Sequence, residues 1–509
     1  MSSSSTSRIA KNTLLLYFRM LLTMGVTLYT SRVILNALGI EDYGIYNVVG
    51  GVVAMFGILS GSLSSAISRF ITFELGKGDL DKLKRIFCTS VNIQVILIAI
   101  ITILMETIGI WFLNNKMVIP EERLAAANWV FQFSVVTFAL NLLSVPYNAV
   151  IIAHEKMSAF AYISIIDCTL KLIVAFIIAY NPFDRLVYYG LLIMVVGLIN
   201  RMMYAIYSKR HFEEATYRMI FDKGLMKEMF GYGGWTFFGA GSALLMTQGV
   251  NLLLNLFFGV TVNAARGIAV QVDHAVNAFV TNFMTALNPQ IIKSYAQNDK
   301  EYMYSLMFSG AKFSYFLVLF FAVPLICETE YILTLWLDNY PSYTTSFVRL
   351  TIITLMIFVL TNTLITAMQA TGKIRNYQLI VGGLGMLVFP VTWICFCYDC
   401  PPEAAYYSNI IIFILQLISR LFLLKNMVGM SIKRFIKEVL FSSLIVTALV
   451  FAFVLLIQYV IDNQSARFLT VVLLGSAFSA AAIYVFGLKQ NEKKFIKNQI
   501  NSKLAKFKK

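Results

Sequence analysis

The chain has 509 residues, of which 59% are hydrophobic and 13% charged, and it carries a formal net charge of +15. A soluble domain of that composition would have too little polar surface to meet water, so an ordinary globular protein is excluded and a multi-pass membrane protein is expected. The surplus of lysine and arginine lies mainly in alternate loops, so it reads as membrane topology and requires no nucleic acid.

The first residues, Met1 to Ser7, are serine-rich and uncharged, and they predict no cleaved signal peptide. Hydrocarbon about 30 Å thick needs roughly 20 helical residues to cross. In chain order, runs of that kind fall near residues 13–38, 43–68, 86–113, 124–152, 158–180, 187–208, 233–258, 266–290, 309–327, 347–370, 377–397, 404–424, 436–461 and 467–488. The expected fold is therefore all-α, with fourteen transmembrane helices. The alternation of basic loops places both termini inside, and that requires an even number of spans.

The chain repeats itself with an offset near 219 residues. Leu35-Asn36-Ala37-Leu38-Gly39 closes span one as Leu254-Asn255-Leu256-Phe257-Phe258-Gly259 closes span seven. Gly78-Asp79-Leu80-Asp81 is answered by Asn298-Asp299-Lys300-Glu301, and Ala153-His154-Glu155-Lys156 by Ala370-Thr371-Gly372-Lys373. Tyr188-Tyr189 matches Tyr406-Tyr407, and Leu198-Ile199-Asn200-Arg201 matches Leu417-Ile418-Ser419-Arg420. Five correspondences in chain order define a repeat of six spans. Six is even, so the copies are parallel, and a transport site is expected between them. This predicts an N-terminal bundle over 1–208, a linker over 209–232 and a C-terminal bundle over 233–425. Two extra helices over 426–488 and a basic tail over 489–509 complete the chain.

Six cysteines and three histidines give no zinc-type spacing, so no metal and no cofactor are expected. The tail carries eight lysines from Lys489 onward and either lies on anionic headgroups or is simply solvated. Walker, HExxH and GxSxG patterns are missing, and the reading is not an enzyme.

The stretch Leu38-Gly39-Ile40-Glu41-Asp42-Tyr43-Gly44-Ile45-Tyr46, the serine-rich close of span two from Ser62 to Arg69, the two six-helix halves and the two extra helices resemble the Wzx-type polysaccharide flippases. These belong to the superfamily that also holds the MATE exporters and the lipid II flippase. The resemblance implies a V-shaped pair of bundles in the bacterial inner membrane. It also implies alternating access and carriage of an undecaprenyl-pyrophosphate-linked oligosaccharide from the inner to the outer leaflet, for surface polysaccharides such as lipopolysaccharide. The implied partners are that lipid-linked oligosaccharide, membrane lipids and other polysaccharide-assembly proteins.

Such a cargo needs cations for its diphosphate and hydrogen-bonding groups for its sugars, and charges inside spans are costly enough to be functional candidates. Span one puts Arg19, Thr23 and Thr30 on nearly one face, with Arg32 about 220° away. Span five carries Asp167 and Lys171 one turn apart, which serve either as a self-neutralising pair or as a phosphate ligand with a switchable partner. Span eight aligns Asp273, Asn277 and Asn288 each within about 40° of Arg266, and span seven adds Gln248, Asn251 and Asn255. These polar stripes line a lumen or hold the bundle by hydrogen bonds. Arg19, Arg32, Lys171, Arg266, Gln248, Asn251 and Asn277 are the candidate substrate contacts, with Asp167 and Asp273 as candidate ion-coupling groups. Arg201, Arg349 and Arg420 lie near span ends, where snorkelling to the interface accounts for them.

Two other functions compete. A MATE-like exporter of organic cations would want a carboxylate-rich lumen, against the cations named above. A membrane polysaccharide polymerase or ligase would be expected to hold its reactive groups in a large external loop, whereas the loops here are short.

Overall fold

A computed structural model describes residues 3–55, 57–115, 117, 119–179, 184–337, 340–490 and 492–493. Every regular element among them is helical, the one open arrangement that satisfies a backbone in lipid. In chain order the long helices are residues 3–38 (α1), 40–77 apart from residue 56 (α2), Leu80–Asn115 (α3), Glu121–Ala153 (α4), Met157–Ala179 (α5), Arg185–His211 (α6) and Lys223–Gly259 (α7). They continue with residues 260–296 (α8), Lys300–Cys327 (α9), Thr344–Ala370 (α10), Arg375–Cys397 (α11), Ala404–Val428 (α12), Ile432–Val460 (α13) and Gln464–Gly487 (α14).

Eleven helices among the described residues, α3 to α7 and α9 to α14, are long and apolar enough to cross a membrane. The chain is a multi-pass membrane protein. The expected fourteen spans would add α1, α2 and α8, which that set does not include.

The chain divides into two compact units, Ala10–Ala240 and Gly241–Lys509 together with Met1–Ile9. In the first, α4 packs against α2, α3 and α6, and α5 against α6. In the second, α10 packs against α8, α9 and α12, and α11 against α12. The same order of neighbours recurs, and the backbone recurs with it. Gly39 has φ 80° and ψ 170°, and Gly259 has φ 79° and ψ −172°, so both turn the chain between consecutive helices through a region that only glycine enters freely. Gly78 and Asn298 share a left-handed conformation, as do Glu155 and Gly372. Asp79 accepts the Lys82 amide and Asp299 the Tyr302 amide, each capping the third helix of its half. The repeat read in the sequence is thus a repeat of turns and caps.

Helices α13 and α14 pack on α9 and on each other. They are pinned at both ends. At one end Glu328, almost fully buried, accepts from Arg467 at 2.9 and 3.1 Å and from Gln458 at 3.0 Å. At the other, Lys312 of α9, 1% exposed, donates to Glu492 at 2.9 Å and to the Gly487 carbonyl at 3.1 Å, while Ser309 donates to the same carboxylate.

Short π-helical turns interrupt several spans and free carbonyls that lipid cannot satisfy. Other helices supply the donors. In the turn Gln378–Gly382, Ser242 donates to the Gly382 carbonyl at 2.7 Å and Gln416 to the Val381 carbonyl at 2.9 Å.

The segment expected to bridge the halves is strapped to the first unit. Phe212 stacks on His154 at 4.2 Å, and Glu214, 3% exposed, meets the His154 Nε2 at 2.5 Å. Tyr217 donates to Asn92, Asn92 donates to the Ile220 carbonyl, and Arg85 pairs with Asp222.

Candidate functional site

In the first unit three charges within the helices, Arg19, Asp167 and Lys171, lie along α5. Arg19 of α1 lies over the Phe160 ring at 4.6 Å and donates from Nη1 to the Ser164 hydroxyl at 3.3 Å. Tyr204 of α6 interacts electrostatically with Ser164, Arg19 and Asp167. One turn beyond Ser164, Asp167 accepts from Lys171 at 2.8 Å, and the Lys171 side chain is 47% exposed. The Cys168 thiol donates to the Thr23 carbonyl, tying α5 to α1 at this level. Two cations against one carboxylate leave the cluster with a net positive charge. The sequence pattern found Arg19, Thr23, Asp167 and Lys171; Ser164 and Tyr204 escaped it because one hydroxyl in an apolar span carries no periodic signal. The side chain of Arg32 lies outside the described set.

In the second unit Arg266 is buried, 6% exposed, and donates from Nη2 to the Thr247 carbonyl at 3.0 Å, within the π turn Leu245–Gly249. Its guanidinium also lies 5.8 Å from the Tyr406 ring, with which it interacts electrostatically. Asp273, two turns along α8, is partly buried and forms no ion pair among the described residues. Gln248 is exposed, Asn251 and Asn277 are half-buried, and none of the three has a side-chain hydrogen bond among the described residues. Asn288, by contrast, accepts from Thr366 of α10 at 2.8 Å and joins two helices.

Three arginines expected to snorkel sit otherwise. Arg420 is only 4% exposed, and its Nε and Nη1 find no partner among the described residues. Its repeat counterpart Arg201 turns inward over the Tyr147 ring at 4.2 Å. Arg349 donates to the Ile326 carbonyl and to Thr329, both at 3.1 Å. For Arg201 and Arg349 a local ring or acceptor takes up the guanidinium. The six cysteines are unpaired, and among the described residues no cluster of three or more metal-ligating side chains occurs.

A family profile described as "Polysaccharide biosynthesis protein" matches residues 9–295, more than half the chain. The chain belongs to the polysaccharide biosynthesis protein family. The resemblance to the flippases of that class, read from the sequence, is borne out. Among curated relatives, the "Uncharacterized membrane protein EpsK" of Bacillus subtilis (strain 168) is 20% identical over 330 residues, which is 64% of this chain and 64% of the relative. The match thus spans just under two thirds of that relative's length.

Solved structures show the fold of this family member to be MATE-like. A MATE transporter in its bent conformation superposes with a TM-score of 0.71 at 13% identity, over 84% of this chain and 98% of the transporter. An outward-facing multidrug resistance MATE transporter of the MOP superfamily gives 0.68 at 13% identity, over 82% and 94%. A MOP-superfamily transporter from Pyrococcus furiosus, for which a reversed polarity of the binding pocket is described, gives 0.66 at 14% identity, over 81% and 94%.

Proposed function

We propose that this polysaccharide-family chain is an alternating-access flippase for an undecaprenyl-pyrophosphate-linked oligosaccharide, working from the inner to the outer leaflet of the bacterial inner membrane. In this reading fourteen helices cross the bilayer with both termini inside, and the chain transports rather than catalyses. The observation that carries it is the net positive cluster of Arg19, Asp167 and Lys171 within the membrane helices of the first unit. A cation buried at that depth is expensive, and a diphosphate headgroup is the ligand that repays it.

Arg19 and Lys171 then contact phosphate, with Arg32 and Arg266 as further cations. Gln248, Asn251 and Asn277 face the sugars, and their lack of protein partners fits a wet lumen better than interhelical glue. Asp167 and Asp273 couple the cycle to an ion gradient by gaining and losing a proton or sodium. A MATE-like exporter of organic cations is the rival suggested by the fold, and the excess of cations over carboxylates speaks against it.

The test is complementation of a strain lacking its flippase. Arg19→Ala and Arg266→Ala are expected to abolish surface polymer and accumulate the lipid-linked intermediate while the protein stays in the membrane. Normal polymer in both variants, or restored resistance to cationic drugs with no change in polymer, sinks the reading.

A further inference from the structure

A groove of about 420 Å³ runs along the second unit between α9, α10 and α13, separate from the charged clusters above. Its walls are apolar, with Met356 and Ile357 from α10 facing Leu444 and Phe451 from α13. The floor is crossed by a hydrogen bond of 2.8 Å between Tyr315 and Thr447. Leu444 is 63% exposed, so the groove opens to the surroundings of the helix rather than into the core. In a multi-pass membrane protein those surroundings are hydrocarbon.

Toward one end, beside the apolar Leu440, the groove meets a single buried hydroxyl. Ser443 lines it there, is 1% exposed, and its hydroxyl has no partner among the described residues. Serines in apolar helices ordinarily return that proton to a carbonyl one turn back, so an unpartnered one marks room for an outside acceptor. Six residues earlier on the same helix, about 9 Å of rise, stands Lys437, and one turn before it Lys433. Both are exposed, and neither has an ion pair among the described residues, whereas neighbouring Arg434 and Lys489 are taken up by Glu301 and Glu438.

We infer that this groove is a fixed site for an anionic phospholipid, with its phosphate on Lys433 and Lys437, its ester region at Ser443 and one acyl chain along Met356, Ile357, Leu444 and Phe451. The order of chemistry along α13, from cation through hydroxyl to hydrocarbon, is the order of a phospholipid from headgroup to tail. A purely annular lipid shell would need neither the unpaired lysines nor the unpaired hydroxyl. The site holds a resident lipid and is independent of the cargo proposed above.

The experiment uses the full chain in nanodiscs doped with phosphatidylglycerol or phosphatidylcholine bearing a photoactivatable acyl chain, followed by digestion and mass spectrometry. Phosphatidylglycerol is expected to label peptides of α10 and α13 roughly tenfold more than phosphatidylcholine. Lys433→Gln/Lys437→Gln should bring it down to the phosphatidylcholine level, and Ile357→Trp, which fills the groove, should remove both labels. The lysine variant changes only exposed positions, so it tests the site even if the tryptophan variant fails to fold. Equal labelling by the two lipids, or label spread evenly over the helices, overturns the proposal. So does displacement of the probe by undecaprenyl phosphate, which would assign the groove to the cargo.

Discussion

At the scale of single residues, the chain separates charges that hold the structure from charges that are held by it. Lys312 and Glu492 belong to the first kind, since both are buried and each satisfies the other along with a serine and a carbonyl. Removing one partner leaves an unpaired buried charge, so Lys312→Met is expected to cost about 3–5 kcal/mol, and Lys312→Met with Glu492→Leu to recover most of it. Thermal unfolding in detergent of the two single variants and the double variant measures this as a cycle, and additive losses would show that the pair is not coupled. The Asp167–Lys171 pair is of the second kind. Its lysine is half exposed, so screening leaves little stability in the pair and the Asp167→Asn change should barely alter unfolding. The Lys312–Glu492 pair is not legible in the sequence, where Glu492 falls in the basic tail and no spacing links it to Lys312.

At the scale of elements, tight helix crossings and one pH-sensitive strap carry the argument. A Cβ on Gly310 of α9 would come within 2.4 Å of Leu287 and 2.8 Å of Thr363, at the place where α8, α9 and α10 meet. Without a hydrophobic drive between helices in lipid, that close approach is what holds them, so Gly310→Val should abolish recovery of folded protein by size-exclusion chromatography. Gly310→Ala should be milder but still destabilising. The strap over residues 212–222 is held outside the membrane helices by Glu214. Burial, the largest single influence, would raise that carboxyl, but the hydrogen bond with His154, a backbone amide and the nearby charges of His154 and Lys84 together outweigh it, leaving the group below the ordinary glutamate value of 4.5. A depressed folded-state pKa contributes stability that is present above the unfolded value and lost as the pH falls through the lower, folded one. Hydrogen exchange over 212–222 is therefore expected to be slow above about pH 4.5, to quicken as the pH drops below it, and to lose that dependence in Glu214→Gln.

At the scale of the whole molecule, the repeat is the organising fact. Gly39 and Gly259 occupy the same backbone region at positions 220 residues apart, so Gly39→Ala and Gly259→Ala should each lose about 1–3 kcal/mol, and by similar amounts. A large cost at one site and none at the other would mean that the two halves do not rely on their shared turn. Helices α13 and α14, which have no counterpart in the repeat, are bound to α9 through Glu328 at one end and Lys312 at the other, and α13 provides one wall of the proposed lipid groove.

Hydropathy, loop charge and the spacing of short motifs were enough, without coordinates, to point to a helical multi-pass protein, a recurring set of turns and caps, and the likeness to polysaccharide flippases. Those properties are periodic, and a linear string preserves a period. Which polar groups meet was settled only by folding: Ser164 and Tyr204 reach Arg19, Tyr406 reaches Arg266, Glu328 reaches Arg467, and Arg420 turns into the core instead of toward headgroups. Each of these pairings joins residues from different helices, and their separation in sequence carries no trace of a distance that helix packing alone creates.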